Sequence, residues 1–143
     1  MKPLEQFEDY LKKLIVKKQS PDKLRADSLI NEAERKSESL KTMLEKIGLN
    51  DDNSNDIIEI CYDILIGFIR AKMLLNGFNS SGQGAHEAEI SYLRQLKFKE
   101  TEVQFANQLR YFRNGIMYYG KRFDNEYAKK VLEFLKDIKQ KLR

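Results

Sequence analysis

The chain has one cysteine, two prolines, one histidine and no tryptophan in 143 residues. A single cysteine, Cys61, rules out an internal disulfide framework. Cys61 lies in the most apolar segment, which suits a small buried hydrophobe better than a nucleophile. Two prolines leave little punctuation, so long helices are favoured over many short strands. No apolar run is long enough to cross a bilayer, so no membrane span is expected. The opening Met1–Glu5 has no apolar leader region, which points to the cytoplasm.

Charged residues make up 34% of the chain, with a net charge of +4 and a pI near 9.0. That excess is local. From Lys121 to Arg143 eight basic residues face four acidic ones, so residues 1–120 sum to zero. A basic closing segment can attract phosphate groups, although a solvated amphipathic helix has the same composition.

Helical periodicity organises the chain. Leu4, Phe7, Leu11, Leu14 and Ile15 predict a first helix over residues 3–18. Ser20-Pro21 is a helix start, and the second helix runs to about Ile47 with Leu29, Ala33, Leu40, Met43, Leu44 and Ile47 inward. Gly48 suits a left-handed cap. The charges from Ser28 to Lys46 read as a solvated face.

A third helix, about 55–76, is apolar nearly all round and belongs in the middle of a bundle, while Glu59, Asp63 and Arg70 keep it out of a membrane. Gly77–Gly84 reads as a flexible joint, followed by a helix over 85–96 that carries His86. The dipole at that helix start disfavours protonated histidine, and a hydrogen-bonding or packing role is expected. A fifth helix, 101–119, turns Val103, Ala106, Leu109, Phe112 and Ile116 inward. Asp124 caps the last helix, whose inner stripe is Tyr127 or Ala128, Val131, Leu132, Leu135, Ile138 and Leu142. The expectation is one domain over 1–143, an all-α, antiparallel up-and-down bundle of five to six helices.

Two apparent ligand motifs fail on spacing. Asp51–Asp56 is rich in carboxylates, but Asp56 stands where a calcium loop needs glycine, and Tyr62 where it needs a bidentate glutamate. Gly77 and Gly82 have the gap of a phosphate loop, but Gln83-Gly84 replaces the Lys-Ser/Thr pair. No metal and no cofactor are expected.

The chemistry-bearing array lies on the fifth helix. Arg110, Arg113, Asn114, Met117 and Tyr118 fall on one face at i, i+3, i+4, i+7 and i+8. Two guanidiniums, an amide and a phenol are a poor core face, because burying unpaired charge is costly. The stripe should therefore look at a groove, a ligand or a partner. Mid-helix Gly115 costs about 1 kcal/mol against alanine, which suits close approach of another backbone. Tyr119, Lys121 and Arg122 would extend the surface.

Arg113-Asn114-Gly115-Ile116-Met117-Tyr118-Tyr119-Gly120 resembles the signature of the HEPN family of prokaryotic helical-bundle proteins. The likeness extends with lower specificity to the Gly82–Glu87 turn and the closing helix. It implies a bundle, commonly homodimeric, with the signature on the penultimate helix facing the partner. The family signature is an arginine, often a polar follower, a short gap and a histidine. Active members cleave RNA without a metal. Others are toxins, partners of small nucleotidyltransferases, or nucleotide-binding accessory domains.

Here Arg113 matches the arginine and Asn114 the follower, but Tyr118 stands where histidine belongs. Metal-free cleavage needs groups that exchange protons near neutrality, and tyrosine, with an ordinary pKa near 10, is a poor base there. The resemblance thus implies a catalytically degenerate homodimer binding RNA or a nucleotide through Arg110, Arg113, Asn114, Tyr118, Tyr119, Lys121 and Arg122. Arginines grip phosphates bidentately and tyrosines stack on bases. Alternatives are a metal-independent ribonuclease using Arg113 with Tyr118 or His86, and an interaction partner of a separate nucleotidyltransferase. The tyrosine that some family toxins have modified would fall at Gly120, so that feature does not carry over.

Overall fold

The computed structural model describes residues 1–142 and forms α1 (Phe7–Lys12), β1 (Val16–Lys18), α2 (Lys23–Lys46), α3 (Ser54–Leu75), β2 (Phe78–Ser80), α4 (Ala85–Gln95), α5 (Glu100–Tyr119) and α6 (Asn125–Leu142). Among the described residues this is an all-α helical bundle, as expected, with six helices and one two-stranded ladder, but α3 and α4 do not alternate in direction as an up-and-down bundle would. No helix is long and apolar enough to cross a membrane.

The apolar circumference of α3 sets the architecture. Ile57, Ile58, Cys61, Ile64, Leu65 and Ile69 are fully enclosed, and α2, α4, α5 and α6 all pack against the helix. Contacts fix the directions. Lys36 reaches Asp63, while the Asp22 amide donates to the Leu74 carbonyl, so α2 runs antiparallel to α3. Asn55 meets Lys121, and Asp63 meets Arg113, so α5 is antiparallel to α3 as well. The β2 segment carries the chain back before α4, which therefore runs in the same general sense as α3 (Tyr62 to His86, Asn76 to Tyr92). Phe105, Phe112, Phe123, Tyr127 and Phe134 join α5 to α6. The inward stripes expected on these two helices are the ones they bury or half-bury.

Small residues bring α2 and α3 together. Ala26, Ala33 and Ala71 are buried, and a Cβ added at Gly67 would lie 3.3 Å from the Ala33 Cβ. Helices this close have no room for a larger side chain at the crossing.

Four local expectations are corrected. The first helix stops at Lys12, because Leu14 takes a left-handed conformation (φ 61°). That turn frees Val16 to enter the core from an extended strand, and β1 pairs antiparallel with β2 (Val16 with Ser80, Lys18 with Phe78). The flexible joint therefore contains a strand. The second helix starts two residues late. Asp22, not Ser20, is its cap, and the carboxylate accepts from the Arg25 amide at 3.0 Å. Ile47 is 69% exposed rather than inward.

The caps expected at Gly48 (φ 81°) and Asp124 are present. The Asp51–Asp56 loop also has a structural use: Asp51 Oδ1 accepts from the Asn125 amide at the start of α6 (3.0 Å).

Glycine substitutions separate close packing from tolerance. Gly67→Leu should lower stability by about 1–3 kcal/mol through overpacking. Gly115→Ala, where a Cβ meets only the flexible stem of Lys121, should gain up to about 1 kcal/mol of helix propensity. Thermal unfolding followed by circular dichroism measures both, and equal Tm values for the two variants would contradict this packing.

Candidate anion-binding site

On α5 the polar stripe divides. Arg110 folds back into the protein, its Nε donating to Asn107 Oδ1 at 3.0 Å and its Nη1 lying 3.4 Å from Glu87 Oε1. Arg113 leans over the Tyr62 ring, with Cζ 5.4 Å from the centroid, and Nη2 is 3.5 Å from Asp63 Oδ1. Both side chains are largely covered, whereas Met117, Tyr118 and Tyr119 are open to solvent. The expected uniformly open face is thus corrected: the two charges recruit carboxylates from α4 and α3, since unpaired guanidinium beside the core is costly. Gly115 is corrected too. What approaches it is the aliphatic stem of Lys121 from the same chain.

The turn after α5 is gripped by α3. Asn55 Nδ2 donates to the Lys121 carbonyl at 2.7 Å, and its Oδ1 accepts from the Phe123 amide at 3.0 Å. Arg122 donates to the carbonyls of Asp51 and Asp52. These bonds hold Lys121 and Arg122 beside the end of α5.

His86, at the start of α4, joins the same region. Its Nδ1 is 2.9 Å from Tyr62 Oη, and the two rings are nearly parallel. Arg70 Nη2, which can only donate, stands 3.4 Å from Nε2. That neighbour favours a lone pair on Nε2 and assigns the ring proton to Nδ1, which donates to Tyr62 Oη. Arg70 is held in turn by Glu89, a carboxylate only 2% exposed whose Oε2 also accepts from Ser80 Oγ at 2.8 Å. Burial pushes the His86 pKa down; Glu89 opposes this, while Arg70 and Arg113 add to it. Burial also raises the Tyr62 phenol, which stays protonated.

Two adjoining openings share His86 and Arg113. A cleft of about 150 Å³ is bordered by His86, Glu87, Arg113, Asn114 and Tyr118. A groove of about 310 Å³ is bordered by Glu32, Lys36, Tyr62, Asp63, Arg70, His86 and Arg113. A third opening, about 610 Å³, lies on the α6 side of α5, among Arg110, Tyr111, Asn114, Tyr118, Tyr119, Lys121 and Arg122, with Phe112 and Phe123. Asn114 and Tyr118 border both the cleft and this third opening, so they form the ridge between them. Every expected site residue thus lines one of these openings, but on two sides of the helix rather than one.

Compared with protein-family models, with curated proteins and with solved structures, the chain matches none. The chemistry of the openings therefore carries the reading. Among the described residues no cluster of three or more His, Cys, Asp or Glu side chains could hold a metal ion. Cys61 is enclosed, and burial pushes its thiol up to about 12. What remains is a groove of mixed charge, Lys36, Arg70 and Arg113 against Glu32 and Asp63, with one neutral imidazole, and it can hold an anion where a guanidinium turns from its carboxylate.

Tyr62, Asp63, Arg70, Glu87 and Glu89 were not among the expected site residues. A signal existed for the three on α3: polar groups in an otherwise apolar helix need partners.

The titration of His86 tests this electrostatic arrangement. Because its folded pKa lies below the ordinary 6.5, the unfolded chain binds the proton more readily. Its contribution to stability is complete above pH 6.5 and is lost as pH falls through the folded pKa. NMR titration of the imidazole should give a value below 6.5 that rises in Arg113→Ala and falls further in Glu89→Gln. An unshifted His86 would sink the assignment.

Proposed function

We propose that this is a HEPN-like protein that binds RNA or a nucleotide as a homodimer, with phosphate held beside Arg113 and bases stacked on the tyrosines at the end of α5. The observation that carries this reading is the meeting of His86, Arg113, Asn114 and Tyr118 around one cleft. These side chains come from two helices and offer charge, amide, imidazole and phenol to one ligand.

Arg113 is held loosely, at 3.5 Å from a carboxylate that also faces Lys36 at 3.8 Å. Its Nε is buried without a hydrogen-bond partner, an arrangement that costs about 1–3 kcal/mol and that a turn toward a phosphate would relieve. Across the ridge, Tyr118 (69% exposed) and Tyr119 (80%) present ring faces beside Lys121 and Arg122. A second copy meeting the same patch would cover these rings and bring two clefts together, as an isologous contact requires.

A second reading, a metal-independent ribonuclease, is favoured by His86 and Arg113 sharing the cleft. The Nε2 lone pair, once released from Arg70 Nη2, could take the 2′-hydroxyl proton as that oxygen attacks phosphorus and the 5′-oxygen departs. The departing oxygen also needs a proton, and the chain has no second imidazole to give it. Tyr118 would have to supply it, so binding without turnover is the better-supported function.

Fluorescence anisotropy with labelled single-stranded RNA, in EDTA at low salt, tests both readings. Arg113→Ala should weaken binding by roughly tenfold, the scale of one charged hydrogen bond to phosphate. The same RNA on a gel should remain intact, and cleavage abolished by His86→Ala would establish the enzyme instead. No binding by the wild-type protein at low salt would end the proposal. A monomeric mass by light scattering at high micromolar concentration would remove its dimeric part.

A further inference from the structure

Another opening lies on the far side of Arg70, between the start of α2 and the β2–α4 turn, with a volume of about 390 Å³. Its lining is mostly polar, with Arg25, Asn79, Ser80, Ser81 and Glu89 beside the half-buried Phe78, while Met73 and Leu74 beneath are almost fully enclosed. It meets the grooves described above at His86 and Arg70, which line both sides.

The two arginines of this opening are in different states. Arg70 is neutralised by buried Glu89. Arg25 is exposed, and among the described residues its guanidinium has no carboxylate partner, only Asn79 Oδ1 at 3.5 Å. Arg35, Arg70, Arg94, Arg110 and Arg113 all pair with carboxylates, and Arg122 donates to two backbone carbonyls. An unpaired guanidinium at the mouth of a mostly polar groove that holds one half-buried phenyl ring matches a ligand that is anionic at one end and carries hydrogen-bonding groups on a flat ring at the other. A nucleotide unit has that shape, and a guanidinium can grip its phosphate bidentately.

We infer that this groove is a second nucleotide subsite, with Arg25 holding a phosphate and Phe78, Asn79 and Ser81 receiving a base, so that an RNA strand bound at Arg113 continues past His86 into it. The inference rests on the function proposed above and adds the ligand class: an oligonucleotide rather than a single nucleotide. Neutral His86 lets the strand pass between the two cationic ends without a charge of its own.

Anisotropy with a labelled hexaribonucleotide and with a labelled ribonucleoside 5′-monophosphate separates the two ideas. Arg25→Ala should weaken the hexamer by roughly tenfold, reduce its salt slope by about 0.7, and leave the mononucleotide unchanged. Arg113→Ala should weaken both probes. Lys23→Ala, which removes an exposed charge on the same helix turn outside the groove, controls for general attraction. Hexamer binding that falls equally in Lys23→Ala and Arg25→Ala would overturn the subsite. Hexamer binding lost only in Arg113→Ala would also overturn it while sparing the primary site. Binding of neither probe to the wild-type protein would overturn both.

Discussion

A helix that is apolar on all sides has to be surrounded, and α3 is such a helix. Four other helices pack on it, and the few polar groups it carries have nowhere to go except toward those neighbours. Each polar group then fixes something. Asn55 grips the turn between α5 and α6, and Tyr62 orients His86. Asp63 meets Arg113, and Arg70 meets Glu89. The candidate site is what these four attachments produce when α4 and α5 are laid along one helix.

The two acid–arginine contacts on α3 differ in kind. Glu89 is 2% exposed, takes a second hydrogen bond from Ser80 and is enclosed by α3 and β2. Removing its arginine would strand a buried charge, which makes the pair a fixed part of the frame. Asp63 is 40% exposed, shared between Lys36 and Arg113, and in short contact with neither. An incoming phosphate can displace such a partner at small cost. The frame therefore holds its imidazole firmly, while the Arg113 guanidinium rests on the Tyr62 ring with only a long contact to a carboxylate.

Periodicity made the helices legible, because burial on α2, α5 and α6 follows the 3.6-residue repeat directly. It could not show where α1 ends. Leu11, Leu14 and Ile15 keep helical spacing, and only the left-handed turn at Leu14 reveals that Val16 reaches the core as a strand. Phe78-Asn79-Ser80 was equally hidden, since its pairing partner is remote and its composition is that of a loop. Within the site, Arg110, Arg113, Asn114 and Tyr118 were visible as neighbours on one helix. Their carboxylate partners were not, because Asp63 and Glu87 belong to other helices. The same distance in sequence concealed the approach of His86 to Arg113.

The ladder between β1 and β2 joins positions separated by roughly 60 residues. Such a contact is entropically costly until the α2–α3 hairpin has brought its ends together. The β2 strand leads directly into the turn before His86, so the mouth of the groove depends on that closure. A three-residue ladder has few bonds to hold it, so it opens more readily than a packed helix. The protein thus sets an enclosed helix at its centre and a short pairing of remote segments at the rim of the groove beside His86.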